Sequence, residues 1–421
     1  MKSYIKHAVG GLNTRLLCTA VVTALAAAHA SSSYAGATFK IDDTKWISLG
    51  LGLRSSFQTT EGAAGSNSNK WSNDFNLDNT RLYVNGQIHK YLKVEFNTDC
   101  QTCSNGGELR VLDAIGKIEY NSMVNLWVGR MLVPGERREM NGPFYSGIYQ
   151  TFGAGTPFEP ADYNLTIQNN GTSAGSFGRD DGATIWGSAF SDRLQYAFGF
   201  FRGLRGGANV DDNILYAQKV SYNFWQPEKN PGYYTSGTYY GKGGDILTVS
   251  GNNQYQSQGA GVAANPGNFR GTGVDVLMEK ILPNNAVLTL EGDYKNYGIS
   301  GGYSQAVRDS CPPGGLFSPS CGFAMFQGQA YDVSGMYLFP QKVGIGLIQP
   351  YLRYVNINPN GGSTSRNSYQ TGINYVIDGH NAVVSLNYMY GDMATKGLVD
   401  YRSNVTGNSV SSLMLGFQWQ I

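Results

Sequence analysis

Charge is scarce in this chain. Only 14% of its 421 residues are Asp, Glu, Lys or Arg, against roughly 25% in ordinary soluble domains. The formal net charge is +1, so the concentrated basic excess of a nucleic-acid binder is missing. Histidine numbers 4, and beyond the first 35 residues only His89 and His380 remain, both in expected turns with no partnering Ser and Asp in view. That argues against an enzyme. Long apolar runs are also absent: after residue 36 no stretch approaches 18 apolar residues, which excludes a membrane-spanning helix. No Cys is followed by the His that haem attachment needs, since Cys103 of Cys100-Gln101-Thr102-Cys103 precedes Ser104; no cofactor or metal is expected.

What is present begins with a basic start, Lys2, Lys6 and Arg15, then an apolar run over Leu16–Ala28, then the small-residue sites Ala28-His29-Ala30 and Ser33-Tyr34-Ala35. This predicts a signal peptide over 1–35, cleaved after Ala30 or Ala35. Its loss removes three bases and no acids, leaving a mature domain, 36–421, of formal charge −2. Cys18 lies inside the apolar run and leaves with it.

The mature chain is rich in Gly and Tyr, 56 and 28 residues, and alternates apolar with polar positions from end to end. Ile47, Leu49, Leu51 and Leu53 oppose Ser48, Gly50, Gly52 and Arg54; Leu92, Val94 and Phe96 oppose Lys93, Glu95 and Asn97. This is the pattern of strands with one face in lipid and one in water. Sixteen such segments follow, near 46–54, 81–88, 91–99, 108–120, 123–131, 182–190, 193–202, 214–225, 245–256, 271–282, 286–298, 327–339, 344–356, 368–378, 381–392 and 410–421. An even number of segments about 9 to 12 residues long predicts an all-β fold, a transmembrane antiparallel β-barrel. In the last segment Leu413, Leu415, Phe417, Trp419 and Ile421 alternate to the chain end.

Connections support the same reading, because outer-membrane barrels alternate short periplasmic turns with long external loops. Short turns are expected at His89-Lys90, Asn121-Ser122, Ser191-Asp192, Pro283-Asn284-Asn285, Pro340-Gln341-Lys342 and Asp378-Gly379-His380. Long loops are expected near 57–75, 99–107, 132–181, 203–213, 257–270, 299–326, 357–367 and 393–409. The connection 226–244 breaks the rule, being long where parity requires a short turn. Cys100, Cys103, Cys311 and Cys321 fall in external loops by parity, and export through an oxidising compartment makes them disulfide candidates.

Parity places Arg54, Arg81, Lys93, Lys117, Lys219, Lys295 and Arg353 on the lumen wall with Glu95, Asp113, Glu119, Asp275, Glu279, Glu291, Asp293 and Asp332. The longest loop, 132–181, would narrow the lumen if folded inward. It carries Arg137, Arg138 and Arg179 against Glu136, Glu139, Glu159, Asp162, Asp180 and Asp181, and no lysine. A charge governs a passing ion only where the pore is narrower than about one screening length, roughly 8 to 10 Å. Arg130, Arg137, Arg138 and Arg179 are the residues expected to meet a solute, with Glu136 and Glu139 moderating them, and Arg81, Lys93, Lys117 and Arg353 as further pore-lining candidates. The function expected is passive diffusion of small polar solutes or inorganic ions across the bacterial outer membrane. A cation-preferring pore, suggested by the loop's acids, and a barrel sleeve for a separate cytochrome are the alternatives.

Thr80-Arg81-Leu82-Tyr83-Val84-Asn85-Gly86, Leu112-Asp113-Ala114, Val128-Gly129-Arg130-Met131 before Pro134, Arg179-Asp180-Asp181-Gly182 and Leu194-Gln195-Tyr196-Ala197-Phe198-Gly199 make the chain resemble the phosphate-selective porins O and P. The resemblance implies a sixteen-stranded barrel, a homotrimer in the lipid bilayer, and a third external loop folded into the lumen. It also implies anion selection by arginine rows and a lysine cluster. This chain departs from that last pattern, having no lysine between Lys117 and Lys219.

Overall fold

The computed structural model describes residues 36–67, 69–101, 109–149, 178–204, 208–301, 328–359, 365–391 and 409–421. A short β1 (Ala37–Lys40) precedes β2 (Trp46–Thr60), β3 (Asp74–His89), β4 (Leu92–Gln101), β5 (Arg110–Glu119) and β6 (Asn125–Leu132). One helical turn, α1 (Arg137–Asn141), follows. Next come β7 (Arg179–Ala189), β8 (Leu194–Phe201), β9 (Leu215–Asn223), β10 (Ile246–Val262), β11 (Asn265–Ile281) and β12 (Val287–Gly301). The chain ends with β13 (Gly328–Leu338), β14 (Lys342–Val343), β15 (Gly346–Pro359), β16 (Arg366–Asp378), β17 (Ala382–Gly391) and β18 (Val410–Gln420).

Sixteen of these form a closed antiparallel ring. Each long strand pairs with the next, and β18 returns to β2 with Leu413 opposite Thr59 and Trp419 opposite Leu53. The two short strands continue edges already in the ring. β1 pairs with the first half of β2, from Ala37 opposite Leu49 to Lys40 opposite Trp46, and β14 pairs with the start of β15. Closure leaves no free edge, which is what allows strands to stand in hydrocarbon.

Polarity is inverted relative to a soluble protein. On β2, Leu49, Leu51 and Leu53 are 43%, 59% and 38% exposed, whereas Arg54 is 0% exposed. The exposed set continues around the wall in Val94, Phe96, Val128, Phe198, Phe200, Tyr216, Val274, Leu290, Val333 and Leu386. Such a girdle would be an aggregation hazard in water and is favourable only in an apolar medium. All fifteen charged residues that parity sent inward are buried or partly buried.

The structure corrects several expected boundaries. No long loop occupies 257–270, because β10 and β11 extend to Val262 and Asn265 and leave a two-residue turn. The first long loop is shortened in the same way, β2 reaching Thr60 and β3 starting at Asp74. The turn expected at Pro340-Gln341-Lys342 lies instead at Gly344-Ile345, where Gly344 adopts φ 65°. Pro340 has no N–H to give a ladder, so β13 ends at Leu338 and β14 carries the edge onward. Cys100 lies in β4, not in a loop, and is disulfide-bonded. Its partner and Cys103, Cys311 and Cys321 are outside the described residues, as are 1–35.

An arginine placed at Leu51 tests the inverted polarity. Leu51→Arg should cost about 2 to 4 kcal/mol at the bilayer midplane, measured by denaturant unfolding in lipid vesicles; an unchanged midpoint would deny that this face meets lipid.

Candidate functional site

Two connections from opposite ends of the barrel meet against its inner wall. The first follows β6, and its described part, 133–149, is buried almost throughout. The tetrad Glu136-Arg137-Arg138-Glu139 opens α1, and each member meets an opposite charge. Arg137 holds Glu228 through two bonds of 2.8 and 2.6 Å and lies 3.4 Å from Asp275. Arg138 lies 3.1 Å from Asp332 and 3.2 Å from Glu291. Asp332 is also held by Arg353 at 2.5 Å. Lys295 bridges Glu136 at 2.5 Å and Glu139 at 3.0 Å.

Wall carboxylates also cap the helix. A first helical turn leaves N–H groups without intrahelical partners and carries partial positive charge. Here the Arg137 N–H donates to Asp275 at 3.1 Å and the Arg138 N–H to Asp293 at 3.2 Å, while the N-cap residue Glu136 makes no capping bond. Lys219 completes the cluster, donating to Asp275 at 2.5 Å and to the Gly135 carbonyl at 2.9 Å. Burial and the adjacent Glu139 push the Glu136 carboxyl up to about 7, against the pull of Lys295.

Beyond α1 the same connection leans on the opposite wall. The Arg54 guanidinium stacks 3.9 Å from the Tyr149 ring centroid, and Arg81 lies 4.9 Å from that of Phe144. Tyr149 donates to Asp78 at 2.6 Å. Gln418 and Asn374 donate to the carbonyls of Phe144 and Gly147 at 2.9 and 2.7 Å. These links run to β16, β18, β2 and β3, passing around the ring from β13 to the wall that faces β11.

The second connection is 226–244, whose length in the sequence had no explanation. It turns inward from the short-turn end and packs under α1. The Ser236 carbonyl accepts from Arg137 at 2.9 Å, Thr235 donates to the Arg137 carbonyl at 2.9 Å, and the Gly237 N–H reaches the Tyr145 carbonyl at 2.9 Å. Tyr239 donates to Glu228 at 2.6 Å. Glu279 on β11 accepts from Thr238, from the Tyr239 N–H and from the Gly241 N–H at 2.7 to 2.9 Å. His380, in the β16–β17 turn, places Nε2 2.9 Å from the Thr238 carbonyl, with Tyr145 and Tyr240 rings beside it. An acceptor carbonyl requires the proton on Nε2, which leaves Nδ1 bare. Burial, with Lys242 nearby, holds the ring down at about 4.

The arrangement reassigns several expected residues. Arg137 and Arg138 are both 0% exposed, committed to pairing rather than presented to a solute. Arg130 is not in the lumen: it stands opposite exposed Ala114 and shares the parity of Val128, which is 49% exposed, while neighbouring Trp127 is the buried side. On that outer face it pairs with Asp181 at 3.2 Å, and Arg202 joins the same carboxylate at 2.6 Å. Lys117 pairs with Glu95 and sits 3.9 Å over the Trp127 ring, and Lys93 pairs with Glu119 at 2.5 Å. Arg81 and Arg179 do border open space. They line a cavity of about 300 Å³ with Tyr83, Asn97, Asn141 and Tyr234, continuing to Lys242, Asp378 and His380 at the short-turn mouth. Even there Arg81 is bonded to Asp99 at 2.8 Å and Arg179 to Asp113 at 2.7 Å. Sequence reasoning missed Glu228, Asn141 and the tyrosines of 233–240; the one available signal was the excess length of 226–244.

No family model and no curated protein matches the chain. Solved structures do. The chain superposes on outer-membrane expressed OmpT of Vibrio cholerae with TM-score 0.52 and 14% identity, over 91% of this chain and 100% of that one. An anion-selective porin from Comamonas acidovorans gives 0.56 and 13%, over 90% and 100%. OprB of Pseudomonas putida gives 0.56 and 8%, over 89% and 94%. At these identities the likeness is one of fold, the sixteen-stranded porin barrel.

Two stability measurements follow from the geometry. Glu228→Gln leaves fully buried Arg137 short of its double partner and should cost about 3 to 5 kcal/mol, read from the urea midpoint; a change near zero would mean the two connections are not joined there. For His380 the folded pKa lies below the ordinary 6.5. Release of 226–244 therefore takes up a proton between pH 6.5 and about 4, and the His380 contact is intact above that window and lost as pH falls through it. His380→Gln, which keeps a donor for Thr238 without titrating, should flatten that part of the pH–stability curve; identical curves would remove the assignment.

Proposed function

We propose that this chain is an outer-membrane channel through which small polar solutes diffuse passively, exported by a signal peptide over 1–35 and assembled as a homotrimer. The observation that carries this reading is the closed sixteen-strand ring, apolar outward and paired in charge inward, whose cavity extends to the short-turn mouth. The resemblance to phosphate-selective porins O and P supports barrel and trimer alike. Phosphate selection is a weaker inheritance, because it needs bases free to meet the anion, and Arg137 and Arg138 are buried in ion pairs. A sleeve for a cytochrome is disfavoured, since α1 and 226–244 lie where such a guest would sit.

Ion selectivity in this reading is slight and leans toward cations. Around α1 stand seven carboxylates, Glu136, Glu139, Glu228, Asp275, Glu291, Asp293 and Asp332, against five bases, Arg137, Arg138, Lys219, Lys295 and Arg353. Burial and Glu139 favour the neutral form of Glu136 and reduce the difference. Recording purified protein in planar bilayers under a salt gradient tests this. A conducting pore with a small reversal potential of cation-preferring sign is expected. Failure to conduct would sink the channel reading, and a potential close to the anion limit would reverse the selectivity.

A further inference from the structure

The wall of the cavity divides its polar atoms by charge. Every ionised group with a carboxylate or ammonium neighbour there is matched: Arg81 with Asp99, Arg179 with Asp113, Glu95 with Lys117, and Lys242 with Asp378 at the mouth. Lys229 is the exception among the described lining residues, exposed at the short-turn rim. Several uncharged groups of the lining lack hydrogen-bond partners. Asn141 is 4% exposed and neither its Nδ2 nor its Oδ1 has a protein partner. Asn97 spends its amide N–H groups on Glu95 and Asp113 at 2.7 and 3.0 Å and leaves Oδ1 without a donor. The Tyr83 hydroxyl lies beside the Arg81 guanidinium but makes no well-formed hydrogen bond.

Buried polar atoms without partners are costly unless something else satisfies them. The open atoms here include one donor, two acceptors and a hydroxyl that can be either, all neutral. A carboxylate or sulfate only accepts and would leave the acceptors unmatched; inorganic phosphate keeps an O–H donor at neutral pH but brings a charge that these neutral atoms do not answer; a metal cation would leave the donors unmatched. A hydroxyl group both gives and takes. Tyr83, Tyr145 and Tyr234 add aromatic rings to the lining, which suit the C–H surface of a hydroxylated ring. The volume, about 300 Å³, stands at the small end of ligand sites.

We propose that this cavity is a binding site for neutral polyhydroxylated solutes of about monosaccharide size, held through Asn141, Asn97 and Tyr83. The assignment rests on the channel reading and names the solute class for it. The probe is glucose added to the bath during bilayer recording of the full-length protein. Glucose should reduce the ion current in a saturable manner, and inorganic phosphate at equal ionic strength should not. Asn141→Leu should raise the half-blocking glucose concentration about tenfold, the loss of one or two well-placed hydrogen bonds. Tyr83→Phe, which keeps the ring and removes only the hydroxyl, should shift it in the same direction and guards against Asn141→Leu failing to fold. Saturable block by phosphate in place of glucose would overturn the proposal, as would glucose block unaltered in both variants. A pore that conducts without any glucose block overturns it and leaves the channel reading standing; no conductance overturns both.

Discussion

Closure of the strand ring is the constraint on which the rest of this molecule depends. A strand in hydrocarbon has no water to bond its N–H and C=O groups, so each ladder must be completed by a neighbour and the last by the first. The β18–β2 pairing, nine residues in register from Ser412 to Gln420, does this. Once the ring is closed, the period of two that governs every strand forces one side chain out and the next in. Within the hydrocarbon the outer set must then be apolar and the charged side chains turn to the lumen, while charges on the outer face, such as Arg130 with Asp181 and Arg202, stand near strand ends.

That confinement creates the second problem, which the two inward connections resolve. Fifteen charges on the inner wall can stay solvated if the lumen is wet, but α1 and 226–244 displace water from much of it. Ions removed from water need close partners and satisfied lone pairs, or their desolvation exceeds any attraction. The Glu136–Glu139 tetrad, two arginines flanked by two glutamates, supplies counter-charges to the facing wall: Lys295 for the glutamates, and Asp275, Glu291 and Asp332 for the arginines. Asp275 and Asp293 serve also as helix caps. A five-residue helix is too short to hold itself together in water. Here the wall holds it.

How much of this was legible in the sequence follows from the range of each interaction. The sixteen strands were, because alternation is local and recurs every second residue. Their ends were not. Beyond the bilayer the outer face of a strand also meets water, so Ser257 and Gln258 on β10 and Asn265, Asn268 and Arg270 on β11 carry no apolar alternation and read as loop. Inward parity was also legible, and it placed Asp275, Glu291, Asp332 and Arg353 correctly. The pairing itself lay beyond reach, since Arg138 and Asp332 are 194 residues apart. Arg130 illustrates a different limit: its parity with Val128 pointed outward, but its proximity to the strand end obscured that, and only Asp181 and Arg202 beside it settle the face. The connection 226–244 signalled itself by length alone, with its destination fixed by Glu228 and His380 through contacts no local pattern encodes.

The same pairing that holds the lumen segments determines what the remaining space can recognise. A guanidinium locked to a carboxylate presents little net field to a passing ion at separations longer than the pair itself. Arg81 with Asp99 and Arg179 with Asp113 are therefore dipoles in the cavity wall rather than anion sites. Recognition falls to the groups that the packing left without partners, and these are amides and phenols. A barrel wall dense in charge can for this reason enclose a path whose selectivity is set by hydrogen bonding. The arginines that looked like the selective elements in the sequence are the scaffold that positions Asn141, one helical turn beyond Arg137 and Arg138, at the edge of the cavity.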